Sequence, residues 1–93
     1  MSQLKKASGE LLLQGAGLGK VRVKYLGYLA DLAGTSEAVV EVNGEARVED
    51  VAPIVKKLRR EDYVLLVDGR GADPSTVVRD GSVVVLLPET GGG

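Results

Sequence analysis

The carboxylate that ends Pro88-Glu89-Thr90-Gly91-Gly92-Gly93 is placed where it could do chemistry. An apolar run, Ser82 to Leu87, stops at Pro88. Proline lacks the N–H of a strand ladder, so pairing is expected to end there. Glycines follow, with no Cβ, little bulk and wide conformational freedom. Residues 89–93 therefore read as a thin, flexible tail that could be threaded into another protein, with Thr90 and Gly91 lining the way to Gly92 and Gly93. A carboxylate is a poor electrophile. Before its acyl group can be transferred it must become a mixed anhydride, most simply an acyl-adenylate made from ATP. The same ending also suits a frayed terminus with no role.

Other candidates are weaker. Gly15-Ala16-Gly17-Leu18-Gly19-Lys20 invites a phosphate-loop reading, but Gln14 stands where the first glycine is required and Val21 where Ser or Thr is required. The stretch reads as a flexible linker. Lys5, Lys6, Lys20, Lys24, Lys56 and Lys57 could accept an isopeptide bond, yet exposed lysines are ordinary. Asp68, Asp73 and Asp80 sit beside Gly or Pro, which is turn chemistry rather than a cation site.

Composition removes whole classes of function. The 93 residues suffice for one small domain, and 44% hydrophobic content is enough for a core built from Val, Leu and Ile. Cys and His are absent, which excludes disulfides, Cys or His nucleophiles and the usual zinc sites. Net charge is −1, so no global field draws nucleic acid or an acidic membrane. No apolar run approaches the roughly 20 residues of a transmembrane helix. A cytoplasmic protein is expected, with no metal or cofactor of its own and no catalytic set.

The elements that would carry the tail follow from periodicity. Val21 to Leu26 alternates apolar and charged residues, a half-buried strand. After Gly27, Tyr28 to Ala33 forms a short helix with Leu29 and Leu32 on one face and Gly34 as its stop. Ala38 to Val42 is a second strand ending at Asn43-Gly44, a hairpin signal. Val48, Val51, Ile54, Val55 and Leu58 recur at helical spacing, so a longer helix is expected instead of a return strand. With Asp50 as N-cap, Pro53 falls in the first turn; a start at Val48 predicts a kink. Tyr63 to Val67 reads as a central strand, Asp68-Gly69 as a turn, Val77 and Val78 as a satellite contact, and Asp80-Gly81 as the turn into the last strand. Glu10 to Gln14 could add a short strand. Strand, short helix, strand, helix, strand, strand suits an α+β β-grasp, a mixed sheet of four or five strands with one main helix across one face. The expected division is 1–20 N-terminal extension, 21–88 folded domain and 89–93 tail.

The run Val21-Arg22-Val23-Lys24-Tyr25-Leu26-Gly27-Tyr28-Leu29-Ala30-Asp31-Leu32-Ala33-Gly34-Thr35 resembles the opening of the MoaD family, the small subunit of molybdopterin synthase. Leu66-Val67-Asp68-Gly69 and Val78 to Pro88 resemble its final half. The sulfur carrier ThiS, the ubiquitin-related modifier and archaeal small modifiers share this ubiquitin-like architecture and the glycine ending. The resemblance implies an adenylating partner of the ubiquitin-activating type, which would hold ATP and Mg²⁺. It implies sulfur transfer to a terminal thiocarboxylate, or conjugation to lysines of target proteins. A molybdopterin synthase large subunit is a further implied partner. A non-covalent interaction module with inert glycines is the third reading. The family usually ends in two glycines and this chain in three, so Gly92 and Gly93 are both candidates for the reactive residue. The docking surface is expected on the last strand, at Leu87 and Pro88.

Overall fold

The structure, a computed structural model, describes residues 18–89. The expectations placed on 1–17, including the added strand at Glu10 to Gln14, and those on Thr90 to Gly93 lie outside the described residues.

The first strand, β1 (Leu18–Tyr25), alternates exposed and buried residues along its whole length. It begins before the alternating stretch read from sequence, because Gly19 and Lys20 are held by a turn from across the sheet. Lys20 N–H donates to Asp80 Oδ1 at 2.9 Å, and Gly81 N–H donates to the Lys20 carbonyl at 2.9 Å. A Cβ on Gly19 would lie 2.6 Å from Asp80 Cβ and 2.9 Å from its Cα. Gly19 is therefore a packing glycine, and the linker reading does not extend to it.

The short helix α1 (Tyr28–Ala33) sits where expected and ends at Gly34 in the left-handed region. Only Leu29 of its apolar pair enters the core; Leu32 is 59% exposed. The strands β2 (Glu37–Asn43), β4 (Tyr63–Val67), β5 (Arg70–Gly71) and β7 (Val83–Pro88) complete a five-stranded sheet in the order β2-β1-β7-β4-β5. β1 and β7 are parallel, and the other pairs are antiparallel. β4 is therefore second from the edge, and the central place belongs to β7. Asp68 and Gly69 both take positive φ in the β4–β5 turn, as Asp-Gly predicts.

The longer helix is not continuous. α2 (Val48–Val51) starts at the earlier of the two anticipated positions, with Arg47 N–H donating to Asp50 Oδ2 at 3.0 Å. Its next two N–H groups donate to the Thr76 and Pro74 carbonyls. Ala52 leaves helical geometry at φ −133°, ψ 70°, and Pro53 opens a 3₁₀ turn, Pro53–Lys57. Proline disfavours helical backbone in the residue before it and supplies no i→i−4 donor, so the apolar period continues while the α-helix does not. A second 3₁₀ turn, Arg60–Asp62, leads into β4.

Val77 and Val78 also belong elsewhere than expected. They lie in β6 (Val77–Arg79), which pairs with β3 (Glu45–Arg47) in a separate two-stranded sheet. Val78 is fully buried, part of the main core rather than a satellite. That core gathers Val21, Val23 and Tyr25 from β1, Val84 and Leu86 from β7, and Leu65 from β4 under Leu29, Val48, Val51 and Val55. It is a mixed sheet with short helices on one face, the β-grasp arrangement.

Pro88 does not end the pairing. The β4–β7 register continues to Tyr63↔Pro88, and Glu89 N–H donates to the Asp62 carbonyl at 3.0 Å. Antiparallel ladders alternate hydrogen-bonded and non-bonded positions. Bonds from Glu89 to Asp62 and from Asp68 to Val83 put Pro88 at a non-bonded position toward β4. Its nitrogen faces the β1 side, where β1 has already ended at Tyr25. No donor is lost.

Two outcomes test these contacts. Gly27 has φ 58° and ψ −143°, and a Cβ there would lie 2.8 Å from Pro88 Cγ. Gly34 has φ 82° but open space around it. Gly27→Ala should cost about 2–3 kcal/mol in urea unfolding and Gly34→Ala about 1 kcal/mol. Burial pushes the Tyr25 phenol above its ordinary value. The folded state thus holds that proton more tightly, so this contribution is complete below the unfolded pKa and is lost as pH rises past it, from roughly pH 10 upward. Tyr25→Phe should lessen the fall in unfolding midpoint between pH 9 and 11 and change the pH 7 midpoint little.

Candidate functional site

β7 carries the candidate site, because it is the element that delivers the chain to Glu89. Strand alternation separates the two residues expected to form one surface. Leu87 shares the outer face of the sheet with Val83 and Val85, whereas Pro88 has the parity of the buried Val84 and Leu86 and its ring abuts Gly27. The β4–β7 register sets Val64 beside Leu87 and Leu66 beside Val85. Val64, Leu66, Val83, Val85 and Leu87 are each half-buried on this outer face. Lys20, Arg22 and Lys24 of β1 flank them, and Arg22 Nε pairs with Glu37 Oε2 at 3.2 Å. A small hollow of about 180 Å³ opens among Lys20, Arg22, Val39 and Val83. An apolar centre with a polar border is the composition of a protein-docking face.

The end of β7 lies between two unlike shoulders. On the β4 side is a groove of about 610 Å³ lined by Arg60, Glu61, Tyr63, Ala72, Asp73 and Glu89 among others. Arg60 is committed there: its guanidinium donates to the Tyr63 carbonyl at 3.2 Å and the Ala72 carbonyl at 2.9 Å, and stands 4.9 Å from the Tyr63 ring centroid. A backbone hydrogen bond, and then the Arg59 guanidinium, hold the exposed Glu61 carboxyl below the usual range. On the β1 side the shoulder is apolar. Leu26 N–H donates to the Leu86 carbonyl at 2.9 Å, and the chain turns through Gly27 into α1. Leu26, Tyr28 and Leu32 are all large and exposed. Sequence reasoning passed over Leu26 and Tyr28, although a glycine followed by a helix beside a strand-ending proline marks such a corner.

The acidic residues of the turns serve the backbone. Asp68 Oδ1 accepts from Val83 N–H at 2.9 Å, Asp80 Oδ1 accepts from Lys20 N–H, and Asp73 N–H donates to Thr76 Oγ1 at 2.8 Å. Among the described residues no group of three or more His, Cys, Asp or Glu is placed to hold a metal ion, and no helix is long and apolar enough to cross a membrane. The residues singled out for acyl chemistry, Gly92 and Gly93, and the threaded pair Thr90 and Gly91, lie outside the described residues.

Comparison with known proteins agrees with this architecture. The ThiS family model matches residues 23–93. No curated protein matches the sequence significantly. Among solved structures, small archaeal modifier protein 1 of Haloferax volcanii superposes with a TM-score of 0.65 at 24% identity, covering 81% of this chain and all 100% of that one. A protein named as molybdopterin converting factor, subunit 1, from Pyrococcus furiosus gives 0.61 at 29% identity over 77% of this chain and 99% of its own. Small archaeal modifier protein 1 of Methanosarcina acetivorans gives 0.58 at 21% identity, over 82% and 98%. With the family match spanning β1 to the final glycine, the chain belongs to the ThiS family, as a small ubiquitin-fold protein of the sulfur-carrier or protein-modifier kind.

Proposed function

We propose that this chain is a sulfur carrier whose terminal glycine is activated as an acyl-adenylate and converted to a thiocarboxylate by a partner enzyme. The observation that carries the reading is the ThiS family match, which runs through the glycine ending at Gly93. In the first step a carboxylate oxygen attacks the α-phosphorus of ATP and pyrophosphate leaves. The partner holds ATP and its Mg²⁺. In the second, the terminal sulfur of a partner's cysteine persulfide attacks the acyl carbon and AMP leaves. A second thiol then attacks the sulfur–sulfur bond, forming a disulfide and releasing the thiocarboxylate. All thiols come from partners, since this chain has no cysteine.

The chain's own part is delivery. Gly91, Gly92 and Gly93 bring no side chain to obstruct a narrow active-site channel. Ordering such a tail costs on the order of 1–2 kcal/mol per residue. The apolar outer face offsets part of that cost: burying the exposed half of Leu87 and its neighbours contributes roughly 1 kcal/mol per side chain. The acceptor of the sulfur is a pterin precursor held by a synthase large subunit, or a tRNA-thiolating enzyme. The name of the Pyrococcus furiosus neighbour favours the first.

A second reading is conjugation of the terminal glycine to lysine amines of target proteins. It draws on the fold shared with the archaeal modifiers. Both readings pass through the same adenylate and differ only in the nucleophile that follows.

Intact-mass measurement of the protein from its own cells separates them. Replacement of one oxygen by sulfur is expected for the carrier; glycine remnants on other proteins' lysines would establish the modifier. Deleting Gly92 and Gly93 should abolish ATP–pyrophosphate exchange with the activating enzyme and leave the thermal unfolding midpoint unchanged. Retained exchange by the truncated chain would refute the proposal. Deleting Gly93 alone identifies which glycine reacts.

A further inference from the structure

We infer that the apolar shoulder formed by Leu26, Tyr28 and Leu32 is a recognition surface for the adenylating enzyme. It would seat in an apolar shelf beside that enzyme's ATP site. The inference rests on the carrier reading above and adds a second contact region, off the sheet, that determines which enzyme accepts the tail.

The first argument is reach. Four residues follow Glu89, so the terminal carboxylate lies at most about 14 Å from it. The enzyme's active site must come that close to the end of β7. It then meets whatever flanks Pro88. Gly27 is in immediate contact with Pro88, its Cβ position being 2.8 Å from Pro88 Cγ and 3.3 Å from Cδ. Leu26 and Tyr28 are the residues on either side of Gly27. An enzyme that takes the tail therefore comes up against this corner.

The second argument is composition. Leu26 is 45%, Tyr28 48% and Leu32 59% exposed. Tyr28 and Leu32 are one turn apart on α1 and share a side of it. Leu26 directly follows Tyr25, the last β1 residue in register with β7, and its N–H donates to the Leu86 carbonyl. The shoulder thus lies where β1 passes into α1, beside the end of β7. Single exposed apolar residues are unremarkable, whereas three within seven residues, at the corner beside the exit of the tail, mark a contact. The opposite shoulder is less suited to supply affinity, because Arg60 already donates to two carbonyls and Glu61 pairs with Arg59.

The third argument is that none of the three belongs to the core cluster or to the partly buried hydrophobics packed against it. From α1 Leu29 fills the core with Ala30 and Ala33 packed beside it, and Gly34 closes the helix without Leu32.

The test uses the full-length chain and the adenylating enzyme from the same cells, read by ATP–pyrophosphate exchange. The triple variant Leu26→Ser, Tyr28→Ser, Leu32→Ser should raise KM for the carrier roughly 30-fold with kcat retained, as for loss of an apolar anchor cluster. Leu32→Ser alone, the least buried position, should raise it several-fold and guards against a folding defect in the triple variant. Leu18→Ser, equally exposed at the far end of β1, should leave KM unchanged. If shoulder variants that keep the wild-type unfolding midpoint show KM within about twofold of wild type, and tail deletion still abolishes exchange, the shoulder inference fails alone. If the wild-type chain supports no exchange, it fails together with the carrier reading.

Discussion

The parallel pairing of β1 with β7 is the constraint on which the rest of the structure depends. It sets Arg22 against Val83 and Tyr25 against Leu86, joining the two ends of the described chain in the middle of one sheet. Parallel neighbours cannot be joined by a tight turn, so the chain between Leu26 and Ser82 must cross over, adding β2, β4 and β5 to the sheet and covering one face with the rest. The helices and β6 do so, burying Leu29, Val48, Val51 and Val78 on the inner side. Among the described residues, no element covers the outer side. The polarity of the pairing has a second effect. β7 runs in the same direction as β1, so the chain leaves the sheet beside the β1–α1 corner and not at the Asp80-Gly81 end.

That corner explains an otherwise strained loop. Gly27 holds a backbone conformation open only to glycine, and its missing Cβ lets Pro88 lie against it. Pro88 in turn needs no donor there, because β1 has ended. The two residues stop one strand and steer the other, and the Leu26 and Gly27 carbonyls accept from Leu29 and Ala30 N–H. Glu89 N–H on Asp62 then holds the chain one residue further. The chain is thus paired as far as Glu89, the last described residue.

Much of this was legible in the sequence, and the exceptions share a cause. The alternation in Val21, Val23 and Tyr25, the stop at Gly34 and the turn at Asp68-Gly69 are local signals, and the structure keeps them. Where a long-range contact decides, local signals mislead. Pro88 reads as a strand end, yet the pairing position it occupies is chosen by β4 and β1. Gly19 reads as linker, yet Asp80, distant in sequence, excludes any side chain there. Val78 reads as a satellite because three residues of strand carry little pattern; its partner β3 supplies the context. The period from Val48 to Leu58 is genuine, but a 3₁₀ turn after Pro53 presents apolar residues to the core as a helix would. Leu32 looks like a core partner of Leu29 because i and i+3 share a face, but a helix of six residues at a sheet corner has only one row facing inward.

The division of labour follows from these placements. On the carrier reading proposed above, this chain, with no cysteine and no histidine, presents its carboxylate to a partner that activates and sulfurates it. Presentation has two opposed requirements. The last residues must be thin and unconstrained to enter a channel, and the body must be rigid and well held so that binding it is worth the ordering of the tail. A β-grasp meets both by ending on a central strand. β7 gains hydrogen bonds on both sides and side-chain packing on its inner face, and only after Glu89 does the sequence turn to glycine. On that reading, the outer face of β7 offers an enzyme contact area next to Glu89, so gripping the sheet places the enzyme at the residue from which the tail departs.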